Sequence, residues 1–408
     1  MDQKLLKDYA RLLSKRGVNV QKGDEVWVYA SLDQPDFTRM VVEQLYKDGA
    51  KFVRVIFSDD ACVRHTYKNA TLSTLAKLPP YRLAELKYRA KKLPSVLYIM
   101  GEDPNAMKGV NQNKIAKSRM KQYPKIKPYR DAMDGKYKWC IGAIPNAAWA
   151  KMVFPKDSEE VAIEKLWDAI LSTSRVDGND PVENWNKHNA ILIEKRKKLE
   201  LFGLVELQYK ASNGTDFKVG LDEYRVWGGG MEVVKDKGDF NPNIPSEEVF
   251  TSPVAGKAEG LLVASKPLSY NGELIEDFSV RFKDGKVVEV KAKKGQKLLE
   301  QMVKMDEGAS MLGECALIAY DTPIRKTGLL FYNTLFDENA ACHFALGAGF
   351  PDCIKGGLDM SHEELVEHKM NESMIHVDFM IGTADLDVVG ITKDGKKVQI
   401  FKDGNWAF

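Results

Sequence analysis

Strand and helix patterns alternate along the first hundred residues, and that alternation limits the chain to few folds. LLKDYARLLSKRG (5–17) has helical periodicity, EVWVYAS (25–31) is strand-like, and FTRMVVEQLYKDG (37–49) is helical and stops at a glycine. KFVRVIF (51–57) and SVLYIM (95–100) are further apolar, β-branched runs. Strands separated by helices pair in parallel, because a crossover is needed to return the chain to the same end of the sheet. The pattern predicts an α/β N-terminal domain with a parallel-type sheet over residues 1–200.

Two more helical stretches follow, SEEVAIEKLWDAILSTSRV (158–176) and NWNKHNAILIEKRKKLELFG (184–203), the first with Ser158 as a start signal. Beyond about residue 203 the style changes to short alternating runs broken by turns, with Lys-Asp-Gly at 283–285, 393–395 and 402–404. Asp-Gly between alternating runs is a hairpin signal. Residues 201–408 are therefore expected to form an α+β C-terminal catalytic domain rich in antiparallel strands. At 408 residues and 44% hydrophobic content the chain can bury two cores.

Charge excludes several function classes. Lys+Arg (60) and Asp+Glu (58) nearly cancel, so no global field points to nucleic acid or an anionic membrane. The basic stretch 108–134, with Tyr123 and Tyr129, reads as a solvated helix and loop. MDQKLLKDYARLLSKRG lacks the apolar core of a signal peptide, and no uncharged run approaches the roughly 20 residues that span a bilayer. Five cysteines without a C-x-x-C pair argue against disulfides and thiolate zinc, so a reducing cytoplasm is expected. There is no phosphate-binding glycine loop and no G-x-S-x-G elbow, and the histidines of HEELVEH (362–368) are six apart, on different helix faces.

Metal-binding residue types gather in the last third. His376 and Asp378 flank Val377 in a strand-like run, so both point to one side about 7 Å apart. A structural hydrogen-bonded pair would look the same. Glu314 enters an apolar strand with no lysine or arginine nearby to offset its charge, which a cation would do. His343 is read on a helix capped by Asp337 or Asn339 among small and apolar neighbours, as a ligand or a satisfied core histidine. Glu338, near that helix start, is a cap or a further ligand. Of Glu247 and Glu248, one is expected to face inward and the other solvent, unless both lie in an exposed loop. Two histidines and four carboxylates suit two divalent ions better than thiolate chemistry does, and such ions would activate water for hydrolysis.

NPNIPSEEVFTSP (241–253), LGECAL (312–317), KTGLLFYNTLFDENAACHFALG (326–347) and NESMIHVDFMIG (371–382) resemble the thermophilic-type metallo-aminopeptidases of the M29 family. TSRVDGNDPVENWNKHN (173–189) and GTDFKVGL (214–221) extend the resemblance over essentially the whole chain. It implies a cytoplasmic exopeptidase, typically a homodimer, that removes N-terminal residues from peptides with a free N-terminus using two divalent ions (Zn, Co, Mn or Mg). Carried over by motif, the metal positions are Glu248, Glu314, His343, His376 and Asp378, with Glu338 as a further ligand or base. Glu314 or Glu338 would move the proton. Where the family commonly has tyrosine, seven residues after the histidine, this chain has Phe350, which on a helix would share a face with His343. The alternatives are a non-catalytic metal-containing peptide-binding protein, which the Phe350 departure favours, and a metal hydrolase of other amide bonds.

Overall fold

The computed structural model describes residues 1–270 and 272–408. Two compact units form, one from Met1–Lys187 with Met231–Pro245 and the other from His188–Gly230 with Ser246–Phe408. The division between Lys187 and His188 falls inside the helix Pro181–Phe202.

In the first unit Val26, Val28, Val96, Leu97 and Ile99 are fully buried, as strands covered on both faces require. They lie on β1 (Glu25–Ser31) and β3 (Ser95–Met100), which with β2 (Phe52–Ser58) and β4 (Trp139–Ala143) form a sheet in the order β2-β1-β3-β4. Every pairing is parallel, as the alternation predicts. The helix Gln3–Leu12 is capped by Asp2, whose side chain accepts the Lys4 N–H, and the helix Pro35–Lys47 begins on proline, which has no N–H to leave unpaired there. The basic stretch is a helix, Gln112–Met133, capped by Asn111. A short hairpin, β7 (Glu232–Val234) with β8 (Gly238–Phe240), belongs to this unit as well.

The second unit is antiparallel, as its turn chemistry predicts. β5 (Leu204–Lys210), β6 (Asp216–Gly220), β10 (Ala258–Val263), β11 (Leu268–Tyr270), β12 (Glu273–Lys283), β13 (Lys286–Lys294), β17 (Asp387–Thr392), β18 (Lys397–Lys402) and β19 (Asn405–Trp406) make a nine-stranded sheet. All three Lys-Asp-Gly sites join adjacent strands of it, β12 to β13, β17 to β18 and β18 to β19. Asp284 and Gly285 (φ 50° and 77°) and Asp403 and Gly404 (48° and 71°) both adopt the left-handed pair that a tight hairpin turn demands.

A second sheet of four strands carries the chemistry. Its order is β16 (His376–Met380), β15 (His343–Gly347), β14 (Leu312–Leu317), β9 (Val249–Thr251), antiparallel throughout. One face holds Val249, Cys315, Leu317, Phe344, Leu346, Val377 and Phe379, all within the unit's hydrophobic core. On the other face Glu314, Ala345 and Asp378 stand side by side across three strands, as do Phe250, Ala316, His343 and Met380 across four, and Gly347 pairs with His376. Alternation thus divides the strands into a side that holds the fold and a side lined by polar groups around Ala316, Ala345 and Gly347.

The placement of His343 corrects the helical reading. A helical turn at Thr334–Asp337 and a 3-10 turn at Glu338–Ala340 end before it, and His343 opens the central strand β15. Its alanines and leucine favour helix, but burial on both faces of a central strand overrides that propensity. A β-bulge at Gly313 shifts the phase of β14, so that Leu312 faces the core and Glu314, two residues on, faces the other way. A Cβ at Gly313 would fall 2.0 Å from the Ala348 carbonyl oxygen, so only glycine fits.

No helix among the described residues is long and apolar enough to cross a membrane.

Candidate metal centre

Six side chains expected from the sequence converge here, and their hydrogen bonds show which atoms are left to face one another. His343 is 1% exposed, and its Nδ1 lies 3.0 Å from the Glu338 carbonyl and 3.2 Å from that of Ala341. Carbonyls only accept, so Nδ1 carries a hydrogen and a neutral ring presents its lone pair at Nε2. His376 is held in the same way, its Nδ1 donating to Ala348 O at 2.7 Å. Both imidazoles therefore turn Nε2 toward carboxylates.

Around His343 Nε2 lie Glu248 Oε2 at 3.6 Å, Asp378 Oδ1 at 3.9 Å and Glu314 Oε1 at 4.0 Å. That nitrogen is buried and has no hydrogen-bond partner among the described residues. Around His376 Nε2 lie Glu314 Oε2 at 3.0 Å and Asp378 Oδ1 at 3.3 Å. Ligands bonded to one ion at about 2.1 Å stand roughly 3 to 4 Å from one another, the range found here. The potential ligands form two triads, Glu248–Glu314–His343 and Glu314–His376–Asp378, with the ligand atoms of each within 4.8 Å of one another and Glu314 common to both. Carboxylate and imidazole donors without thiolate suit Zn, Co, Mn or Mg.

The electrostatics lead the same way. Burial works against a charge on His376, yet hydrogen bonds and attraction from Asp378 and Glu314 outweigh it and hold the imidazolium well above the usual range. Asp378 is pushed up by burial but ends below the usual carboxylate range, because His376 and His343 attract its anion. Glu338 lies outside both triads, in the 3-10 turn, and its carboxyl is raised well above normal by burial and then by Asp378, Glu248 and Glu314. Several carboxylates crowded around imidazole nitrogens are an arrangement that bound cations relieve.

Two groups beyond the expected set support the site. Asn339, fully buried, accepts the Glu247 N–H at 2.8 Å through Oδ1, and its Nδ2 donates to Leu335 O at 2.9 Å and to Glu338 Oε1 at 3.4 Å. His188 Nε2 lies 2.7 Å from Ser246 O and 3.8 Å from Glu247 Oε2. Glu247 and Glu248 are both buried, which corrects the expectation that one would face solvent or that both would lie in an exposed loop; Glu247 has His188 across from it. Asn339 was visible only as a possible helix cap, and His188 gave no local signal.

Phe350 follows the end of β15 and is not on a helix with His343, so the two share no helix face. Its ring nevertheless lies 4.7 Å, centroid to centroid, from that of His376. Cys315 and Cys342 are buried small side chains, with the Cys342 thiol pushed up to about 12 by burial, so neither offers a ready thiolate. His362 pairs with Glu372 at 2.6 Å and His368 packs against Tyr224, apart from both triads.

The two overlapping triads are groups that could hold divalent metal ions, and comparison with known proteins gives the class. The family model described as thermophilic metalloprotease (M29) matches residues 2–406, and the chain belongs to that family. It is 41% identical to aminopeptidase AmpS of Bacillus subtilis (strain 168), over 99% of this chain and 98% of the relative. It is 39% identical to aminopeptidase 2 of Geobacillus stearothermophilus, over 100% and 98%. The solved structure of wild-type AmpT from Thermus thermophilus superposes with a TM-score of 0.91 at 36% identity, covering 100% of both chains. The activity class is that of a metal-dependent aminopeptidase.

Proposed function

We propose that two divalent ions are held by the two triads, and that a catalytic domain over residues 201–408, which contains all five triad residues, removes the N-terminal residue of peptides there. The observation that carries this reading is the pair of overlapping triads sharing Glu314. Glu248, Glu314 and His343 would hold one ion, and Glu314, His376 and Asp378 the other, with Glu338 beside them. Bound ions supply polarisation of the peptide carbonyl and acidify a water, giving a nucleophile at neutral pH.

The protein's own groups do the rest. The Glu338 and Ala348 carbonyls hold the two imidazoles in the tautomer that binds a cation. The substrate's free amine meets a cluster rich in carboxylate, which attracts an ammonium and distinguishes a free N-terminus from an acylated one. Glu314 and Glu338 are the two candidates for carrying the proton to the leaving amine. Glu338, outside both triads, is the freer of the two. We further propose a cytoplasmic homodimer, as the family resemblance implies.

The test is release of p-nitroaniline from several amino-acid p-nitroanilides before and after chelation, with metal content measured in parallel. Chelator-reversible turnover with about two ions per chain, and no turnover of N-acylated analogues, is the expected result. A fully active protein carrying no ions would overturn the proposal.

A further inference from the structure

We propose that Phe250 and Phe350 form the wall that reads the side chain of the substrate's N-terminal residue, so that peptides beginning with a large apolar residue are preferred. This rests on the aminopeptidase reading of the same site. Phe250 lies opposite Ala316 on the ligand-bearing face of the four-stranded sheet, two residues after Glu248. Phe350 places its ring 4.7 Å from the His376 ring and 5.7 Å from that of Phe250, edge to face at 72°. The two aromatics are half-buried, and they adjoin one ligand from each triad.

In an aminopeptidase substrate the free amine and the scissile carbonyl are attached to the same Cα. Whichever of them a triad engages, the side chain on that Cα is close by, and an aromatic wall beside the ligands is what it meets. Such a wall gains by burying leucine or phenylalanine and gains little from alanine. Packing seats the first ring, and a backbone hydrogen bond anchors the residue that carries the second. A Cβ at Gly228 would come within 2.6 Å of Phe250 Cζ, so the missing side chain gives that ring its seat. The Phe350 N–H donates to Oγ of the fully buried Ser252 at 2.8 Å.

The test compares kcat/KM of the metal-loaded protein for leucine, phenylalanine, alanine, lysine and glutamate p-nitroanilides. Leucine and phenylalanine should exceed alanine by about 10- to 100-fold. Phe250→Ala and Phe350→Ala should bring that ratio to within roughly threefold, mainly through KM, whereas Phe250→Leu, which keeps the apolar body, should retain part of it. Independently of turnover, free L-leucine should raise the thermal midpoint of the metal-loaded protein more than L-alanine does, and the difference should vanish in both alanine variants. A preference for lysine, or ratios and midpoints unchanged in both variants, would overturn the proposal. Absence of all turnover would instead refute the aminopeptidase reading, and the leucine-against-alanine midpoints would still decide the wall.

Discussion

Replacing Asn339 by alanine should show how far the ligand cluster depends on a single amide. The side chain links three points that are distant along the chain or crowded in space, namely the Glu247 N–H, the Leu335 carbonyl and the Glu338 carboxylate. Alanine removes all three hydrogen bonds in a fully buried place. A buried donor or acceptor left without its partner costs about 1–3 kcal/mol, and the 3.4 Å contact to Glu338 is the weakest of the three. With two strong bonds lost and some relaxation, the change should be about 2–4 kcal/mol. For a unit of roughly 200 residues this lowers the thermal midpoint by about 5–15 °C. The assay is calorimetric unfolding of chelator-stripped protein, followed by titration with zinc well below the midpoint. Because Asn339 also braces the residue before Glu248, zinc affinity should fall about 10- to 100-fold. Asn339→Ser, which keeps a hydroxyl near the Glu247 N–H, should recover part of the stability. A midpoint within about 1 °C of the parent would refute the reasoning.

Other expectations concern the ions directly. His343→Ala and His376→Ala should each weaken metal binding and lower kcat/KM by about 1,000-fold or more, with the circular dichroism of the stripped protein unchanged. Wild-type-like activity with intact metal content in either variant would sink the ligand assignment. Glu338→Gln should lower kcat by roughly 10²–10⁴ while both ions remain bound, as elemental analysis would show; loss of an ion would make Glu338 a required ligand. The stripped protein should also lose stability as pH rises above neutrality. The folded His376 titrates above its unfolded value, so its contribution is fully present below about pH 6.5 and is lost as pH climbs through the folded value. Metal affinity should move the opposite way, rising with pH as the proton leaves Nε2. A thermal midpoint of the stripped protein that is flat from pH 6 to 9 would count against the His376–Asp378–Glu314 pairing.

Much of this was legible in the sequence because alternation is a geometric rule. It places His376 and Asp378 on one face and Val377 on the other, and it marks the Asp-Gly hairpins. The strand at His343 is not legible in the sequence, because a short run of alanine and leucine buried on both faces has no period that separates strand from helix. Glu247 could not be assigned because its neighbour, His188, lies 59 positions earlier in the chain. Phe250 was within reach of the rule that placed His376 and Asp378, since it is two residues beyond Glu248, but that rule needs the strand to be recognised first. The Gly313 bulge is the reverse case: strict alternation would put Leu312 and Glu314 on one side, and only the paired strand reveals the phase shift.

The order of the small sheet has a consequence for its outer strands. Glu248 borders β9 and His376 lies on β16, the two outermost strands, while Glu314 and His343 come from the two between them. Cations shared among these residues would clasp the sheet from one outer strand to the other, across the strands and along the direction of its hydrogen bonds. Outer strands ordinarily fray first. Loading should therefore slow amide hydrogen exchange most in β9 and β16, so that the ions determine how often those strands open as well as what chemistry the site performs.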